Sequence, residues 1–144
     1  DLSFYKNFIT QSHIKFFSNK TYDLMSSATA ALVTSGTATL ETALFKVPEV
    51  VCYKGSWASY QIAKRIITLK YISLVNLIMD EEVVTELIQD DCNKKRIREE
   101  LQKILNTNHR NTLLQKYALL EQQLGGIGAS EETAALIVNN LRQT

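Results

Sequence analysis

Apolar positions in the first half of the chain come in short runs bounded by polar residues, whereas in the second half they recur every three or four residues. That change of period separates strands alternating with helices from helices alone. His13 to Phe17 predicts a strand, followed by polar Ser18-Asn19-Lys20-Thr21 and a short helix from Tyr22 to Ser27. Ala30-Ala31-Leu32-Val33 predicts a second, buried strand that runs into Thr34-Ser35-Gly36-Thr37, where a helix begins. Leu40 and Leu44 share one face of that helix. It stops before Pro48, because the residue ahead of a proline avoids the α region. Glu49 to Tyr53 is a third strand, and from Ala58 onward Ile62, Ala63, Ile66 and Ile67 repeat with helical period.

Tyr71 to Val75 predicts a fourth strand leading into Asn76, after which the strands end. Asp80 caps a helix from Glu81 through Gln89, and Asn93 caps another through Leu105, with Ile97, Leu101, Ile104 and Leu105 on its apolar stripe. Arg110 to Leu124 carries Leu113, Leu114, Tyr117, Leu120 and Leu124 at helical spacing. Gly125-Gly126-Ile127-Gly128 interrupts the pattern as a loop. Ser130 then caps a last helix, with Glu131 and Glu132 at its positive end and Ala134, Ala135, Ile137, Val138 and Leu141 on its buried side. Alternating strands and helices with near-continuous apolar strands imply an α/β fold, a parallel sheet covered by helices on both faces. The trailing helices are longer than such a sheet needs, which predicts contact with another domain or subunit.

Composition narrows the function more than the fold. The 144 residues suit one core, and 45% hydrophobic with 22% charged residues is ordinary for a globular chain. Sixteen Lys and Arg against fifteen Asp and Glu leave a net charge of +1, which argues against a protein that coats nucleic acid. Cys52 and Cys92 form no CxxC pair and read as free thiols in a reducing cytosol. His13 and His109 lie far from either cysteine, so no zinc spacing is present. The most apolar stretch, Tyr71 to Met79, is too short to cross a bilayer. The first residues, Asp-Leu-Ser-Phe-Tyr, lack an initiator Met and any signal or transit pattern, and the expectation is a piece of a longer chain.

The segment Ala31-Leu-Val-Thr-Ser-Gly-Thr-Ala-Thr-Leu-Glu41 is the most informative. A strand there ends in small polar residues that open a helix, and ligands of an open parallel sheet bind at the carboxyl ends of its strands. The first helical turn leaves N–H groups unpaired and carries a partial positive charge. Gly36 lets a phosphate approach the backbone, while Ser35, Thr37 and Thr39 add hydroxyls: a diphosphate cradle without lysine. A tight turn with a serine cap accounts for the same residues, and residue types alone leave both readings open. Neither GxxxxGK[ST] nor GxGxxG is present. Glu41, beyond the cradle, is either a ribose-diol acceptor or a solvated helix residue. Glu81-Glu82, Asp90-Asp91 and Glu99-Glu100 are expected as helix-surface or cap residues rather than an acid/base pair.

The runs Ser35-Gly-Thr-Ala-Thr-Leu-Glu41, Val47-Pro-Glu-Val-Val-Cys-Tyr-Lys54, Ala63-Lys-Arg65, Tyr71-Ile-Ser-Leu-Val-Asn-Leu77 and Glu86-Leu-Ile-Gln89 occur in the order and spacing of one family. Together they resemble the carboxy-terminal half of lipid-A-disaccharide synthase, a two-domain glycosyltransferase of GT-B type. The resemblance implies a partial Rossmann-like domain over 1–106, incomplete at its N-terminus, that binds the donor UDP-2,3-diacylglucosamine. Residues 107–144 would be carboxy-terminal helices crossing to a missing domain or a partner subunit. It further implies an inverting transfer to lipid X with release of UDP, in the cytoplasm at the periphery of the inner membrane, with no cofactor, metal or nucleic acid.

By the same resemblance Ser35, Gly36 and Thr37, with Ala38 beside them, face the diphosphate, and Glu41 faces the ribose. Tyr53, Lys54, Asn76 and Gln89 complete the substrate-binding set. Val75 stands where the family usually has proline, and Lys54 where arginine is common, which loosens a phosphate contact there. The family's catalytic base comes from the amino-terminal domain, so no catalytic residue is expected in this chain, which alone should bind UDP or the donor weakly, if at all, and not turn over. Without a second domain or subunit to cover them, Leu113, Leu114, Tyr117 and Leu120, with the stripe through Leu141, should drive self-association into a homo-oligomer. Two other readings compete: a non-enzymatic flavodoxin-like or adaptor domain whose Ser35-Gly36-Thr37 turn is structural, and the nucleotide-binding half of another UDP-sugar enzyme such as a 2-epimerase.

Overall fold

The computed structural model describes every residue except 1, 10, 35, 57–69, 126–127 and 143–144. Its centre is a three-stranded parallel sheet in the order β1 (Ala31–Thr34), β2 (Glu49–Tyr53), β3 (Glu86–Ile88). Two short helices, α1 (Leu2–Lys6) and α2 (Thr21–Ser27), precede the sheet, and α3 (Thr37–Leu44) connects β1 to β2. Between β2 and β3 lies α4 (Leu74–Met79). A single 3₁₀ turn (Gln89–Asp91) follows β3, and then α5 (Lys94–Leu105), α6 (Thr107–Gln123) and α7 (Ala129–Arg142). The α/β alternation is as the change of period predicts, and the arrangement is a partial Rossmann-like one, as the resemblance implies.

The register places Ala31 opposite Glu49 and Thr34 opposite Cys52, and on the other side of β2 Val51 opposite Glu86 and Tyr53 opposite Ile88. All three strands therefore end at one edge. Ala43, Val50, Val51, Val75, Val84, Leu87, Ile104, Leu113, Tyr117 and Leu120 form one buried core cluster. Leu113, Tyr117 and Leu120, expected to lack a covering surface, are thus buried within this chain by α3, α4 and α5. The apolar residues of α7 are the ones left outside: Leu136 is 71% and Ile137 56% exposed.

Three sequence expectations change. No strand forms at His13–Phe17; residues 11–20 are exposed coil and bends. A strand needs a hydrogen-bonded neighbour, and among the described residues β1 pairs with β2 alone. The expected strand at Tyr71–Val75 and helix at Glu81–Gln89 exchange identities. Ser73 Oγ accepts from the Asn76 N–H at 3.2 Å and so caps α4, and Asp80 (φ 50, ψ 27) closes that helix in the left-handed conformation rather than opening the next. The β-branched Val83-Val84-Thr85 run leads instead into β3, with the Val51 N–H donating to the Thr85 carbonyl at 2.9 Å. The helix expected from Ala58 onward falls outside the described residues.

Helix starts follow side-chain caps. Asn93 Oδ1 accepts from the Arg96 N–H at 3.1 Å, as expected, whereas Asn106, which the spacing did not single out, opens α6 three residues early by accepting from Asn108 and His109. Glu100, expected on the surface, is buried on α5. Its carboxylate is held by Lys103 at 2.6 Å and Arg96 at 3.3 Å, and by the Thr85 hydroxyl at 3.4 Å. A buried carboxylate with those partners ties α5 to the approach of β3.

Candidate functional site

The carboxyl edge of the sheet brings together residues far apart in sequence. Thr34 leads from β1 to Gly36, Tyr53 and Lys54 leave β2, and Gln89 leaves β3. Gly36 (φ 119, ψ −158) is the N-cap of α3 and, being glycine, brings no side chain of its own to cap that helix. Its positive φ is a conformation that only glycine adopts without strain, although a Cβ there would meet nothing within 4 Å. Gly36 is thus required by the backbone turn, and the space around it remains open to a ligand. Thr37 and Ala38 are exposed in the first turn of α3, where backbone N–H groups and the helix dipole favour an anion. Ser35 lies outside the described residues.

Thr39, expected to offer a hydroxyl to the cradle, is buried, and its Oγ1 donates to the Gly36 carbonyl at 2.8 Å. It shapes the turn from below. Glu41, four residues after Thr37, lies one turn further along the same helical face. It borders a cleft of about 370 Å³ whose opposite wall is Asn19, Lys20, Thr21, Tyr22 and Asp23. Tyr53 and Lys54 are exposed, and the Tyr53 ring folds back over Gly55, its hydroxyl 3.2 Å from where a Gly55 Cβ would stand. Gln89 is half-buried with φ 53, and its Nε2 is buried without a partner.

Asn76 is placed otherwise than a cleft-lining residue would be. It is fully buried, and both halves of its amide are engaged. Nδ2 donates to the Val84 carbonyl at 2.8 Å and to Glu86 Oε1 at 2.9 Å, and Oδ1 accepts from the N–H groups of Val83 and Val84 at 2.8 and 2.9 Å. Two donors and two acceptor lone pairs are all that an asparagine side chain has. Its neighbour Glu86 also accepts from the backbone N–H groups of Ile72 and Ser73, each at 2.9 Å. Asn76 and Glu86 together fasten α4 to the start of β3, and so set the height of Gln89 at the strand's other end. Glu86 entered the sequence reading only as the first residue of the Glu86-Leu-Ile-Gln89 run, and its structural role was not legible there because its partners lie 10 to 14 residues earlier.

The other conspicuous carboxyl, Glu49, sits at the opposite edge, at the first residue of β2. It is wholly buried and neither of its oxygens has a hydrogen-bond partner. Burial pushes its pKa up to about 9, so it is a neutral acid at physiological pH. The Tyr117 hydroxyl is raised as well, by burial first and by Glu49 second. Glu49 is therefore a core group and not a proton acceptor for the cleft. His13 and His109 are exposed. Among the described residues no group of three or more His, Cys, Asp or Glu side chains is arranged to hold a metal ion.

The sequence model of a family described as lipid-A-disaccharide synthetase matches residues 3–138. Among curated proteins, the lipid-A-disaccharide synthase of Geobacter sulfurreducens is 37% identical over 124 residues, which is 85% of this chain and 32% of that protein. The enzyme of that name from Syntrophus aciditrophicus is 37% identical over 132 residues, 91% of this chain and 34% of its own length. That of Coxiella burnetii is 36% identical over 129 residues, 89% and 34% respectively. This chain spans about a third of the length of these relatives.

Proposed function

The chain belongs to the lipid-A-disaccharide synthase family, and from that premise we propose that the carboxyl edge of its sheet holds the nucleotide end of UDP-2,3-diacylglucosamine. The observation that supports this reading is that three parallel strands end at one edge, where Gly36 turns β1 into the start of α3. Ser35, Gly36, Thr37 and Ala38 receive the diphosphate through backbone N–H groups and hydroxyls, and Lys54 adds a positive charge from the end of β2. Glu41 accepts from the ribose hydroxyls in the cleft it shares with Lys20 and Asp23. Tyr53 and Gln89 border the donor, and Asn76 acts as a positioning residue through Glu86 and β3.

The reaction is an inverting displacement. A hydroxyl of lipid X attacks the anomeric carbon while the bond to UDP breaks, and the bonding pair leaves on the diphosphate. The start of α3 stabilises that charge as it develops. By the family resemblance, the acceptor proton goes to a carboxylate base on another part of the enzyme. This chain alone binds donor and does not turn over; an assay of disaccharide formation by the chain checks this. The work is done in the cytoplasm at the inner-membrane surface, where acylated substrates are met. No helix among the described residues is long and apolar enough to cross a membrane.

UDP at about tenfold above its Kd is expected to raise the melting midpoint of the chain by about 3 °C. Gly36→Val is expected to lower stability by about 1–2 kcal/mol through strain at positive φ, and to abolish the UDP response. Glu41→Ala should leave the stability near that of the parent and weaken the response. A parent chain whose melting ignores UDP, or a Gly36→Val variant that still responds, overturns the assignment. Self-association follows from α7, whose Leu136, Ile137 and Val138 stand exposed. Light scattering should detect dimers or larger species that Leu136→Glu returns to monomer.

A further inference from the structure

A nucleoside diphosphate is a linear molecule, so fixing two of its parts fixes the side on which the third must lie. With the diphosphate at the start of α3, the ribose at Glu41 sits about 6 Å further along the helix. The base then falls beyond Glu41, against the opposite wall of the cleft, Asn19 to Asp23. Glu41 and Asp23 together outweigh the charge of Lys20 there. A net negative wall accepts from N–H and O–H groups and turns a phosphate back toward Gly36.

Two side chains of that wall are free to meet a base. The Tyr22 ring stacks on Phe45, with centroids 5.4 Å apart and planes 10° from parallel, so one of its faces is held. Tyr22 is nevertheless 60% exposed, which leaves the other face open. Asn19 is exposed in the left-handed conformation (φ 57), which asparagine adopts more readily than most residues. Its amide has no hydrogen-bond partner among the described residues, in contrast to the fully engaged amide of Asn76. One donor and one acceptor side by side in a plane match the edge of uracil, whose N3–H donates and whose ring carbonyls accept.

We propose that Asn19 and Tyr22 form the nucleobase subsite of the donor site, Tyr22 stacking on the uracil ring and Asn19 bonding to its N3–H and an adjacent carbonyl. The inference rests on the reading of the donor site given above. Phe45 directly follows α3 and supports Tyr22 from behind. One short helix thus carries in order the diphosphate contacts, the ribose acceptor and the backing of the base platform.

The test measures the affinity of the chain by titration calorimetry for UDP and for ribose 5-diphosphate, which has the same ribose and diphosphate but no base. UDP is expected to bind about thirtyfold tighter, one hydrogen-bonded edge and one stacked ring each contributing about fivefold. Asn19→Ala and Tyr22→Leu should each reduce that preference about fivefold and leave the affinity for ribose 5-diphosphate within about twofold of the parent's. Asn19 is exposed, so its substitution should not disturb folding. Equal binding of the two compounds by the parent, or a parent-like preference in either variant, would overturn the nucleobase assignment while the diphosphate and ribose contacts stood. Binding of neither compound would instead remove the donor-site reading and this inference with it.

Discussion

Asn76→Ala is expected to lower the stability of the chain by about 4 kcal/mol, as much as truncating a large buried side chain costs. The substitution removes four hydrogen bonds at once and leaves the N–H groups of Val83 and Val84 without their acceptor in the core. Urea unfolding should show the loss as a lower midpoint at unchanged slope. Asn76→Asp makes a sharper test because it keeps the shape. It retains the two acceptor contacts, loses both donated bonds, and sets a second carboxylate against Glu86. Its stability should fall comparably at neutral pH and recover toward acid as the new carboxyl takes up a proton. An Asn76→Ala variant that unfolds like the parent but no longer responds to UDP would make Asn76 a ligand contact instead of a positioning residue.

Glu49 governs the second large effect, on pH dependence. In the unfolded chain its carboxyl titrates at the ordinary value of 4.5, and in the folded chain at about 9. The native state therefore holds a proton that the unfolded state has released. Stability from this group is fully present below 4.5, declines as pH rises, and reaches its minimum above about 9. At neutral pH the decline amounts to on the order of 3 kcal/mol. Glu49→Gln keeps the shape and cannot ionise, so its lead over the parent should be small near pH 4.5 and widen steadily to about pH 9. Denaturation midpoints of the two proteins across that window provide the measurement. A constant difference between them would mean that Glu49 titrates normally, and the account of its burial would be wrong.

The buried pair of Glu49 and Tyr117 is also where reading along the chain had least to work with. Glu49 opens a strand beside Pro48, a position that ordinarily faces solvent, and only the packing of α6 places Tyr117 against it. The same helix illustrates a general limit. Its apolar spacing was plain, but whether Leu113, Tyr117 and Leu120 face this core or another molecule depends on α3 and α4, which are distant in sequence. The exchange of strand and helix across residues 71–89 has a related cause. Short apolar runs carry no period of their own, and here one side-chain cap at Ser73 and one pairing with β2 decide between them.

Local chemistry was enough to specify the α/β alternation, the turn from β1 into α3 at Gly36, the end of α3 before Pro48, and the family to which the chain belongs. These depend on residues near one another along the backbone: caps, a glycine at positive φ, a proline, and ordered motifs. The tertiary structure alone decided which groups are available to a ligand. Thr39 and Asn76 looked equivalent to Thr37 and Gln89 as polar residues beside strand ends, yet they are consumed by hydrogen bonds within the protein. A side chain's free donors and acceptors are what remain after the fold has satisfied its own buried polar groups, and that remainder is set by contacts between distant segments.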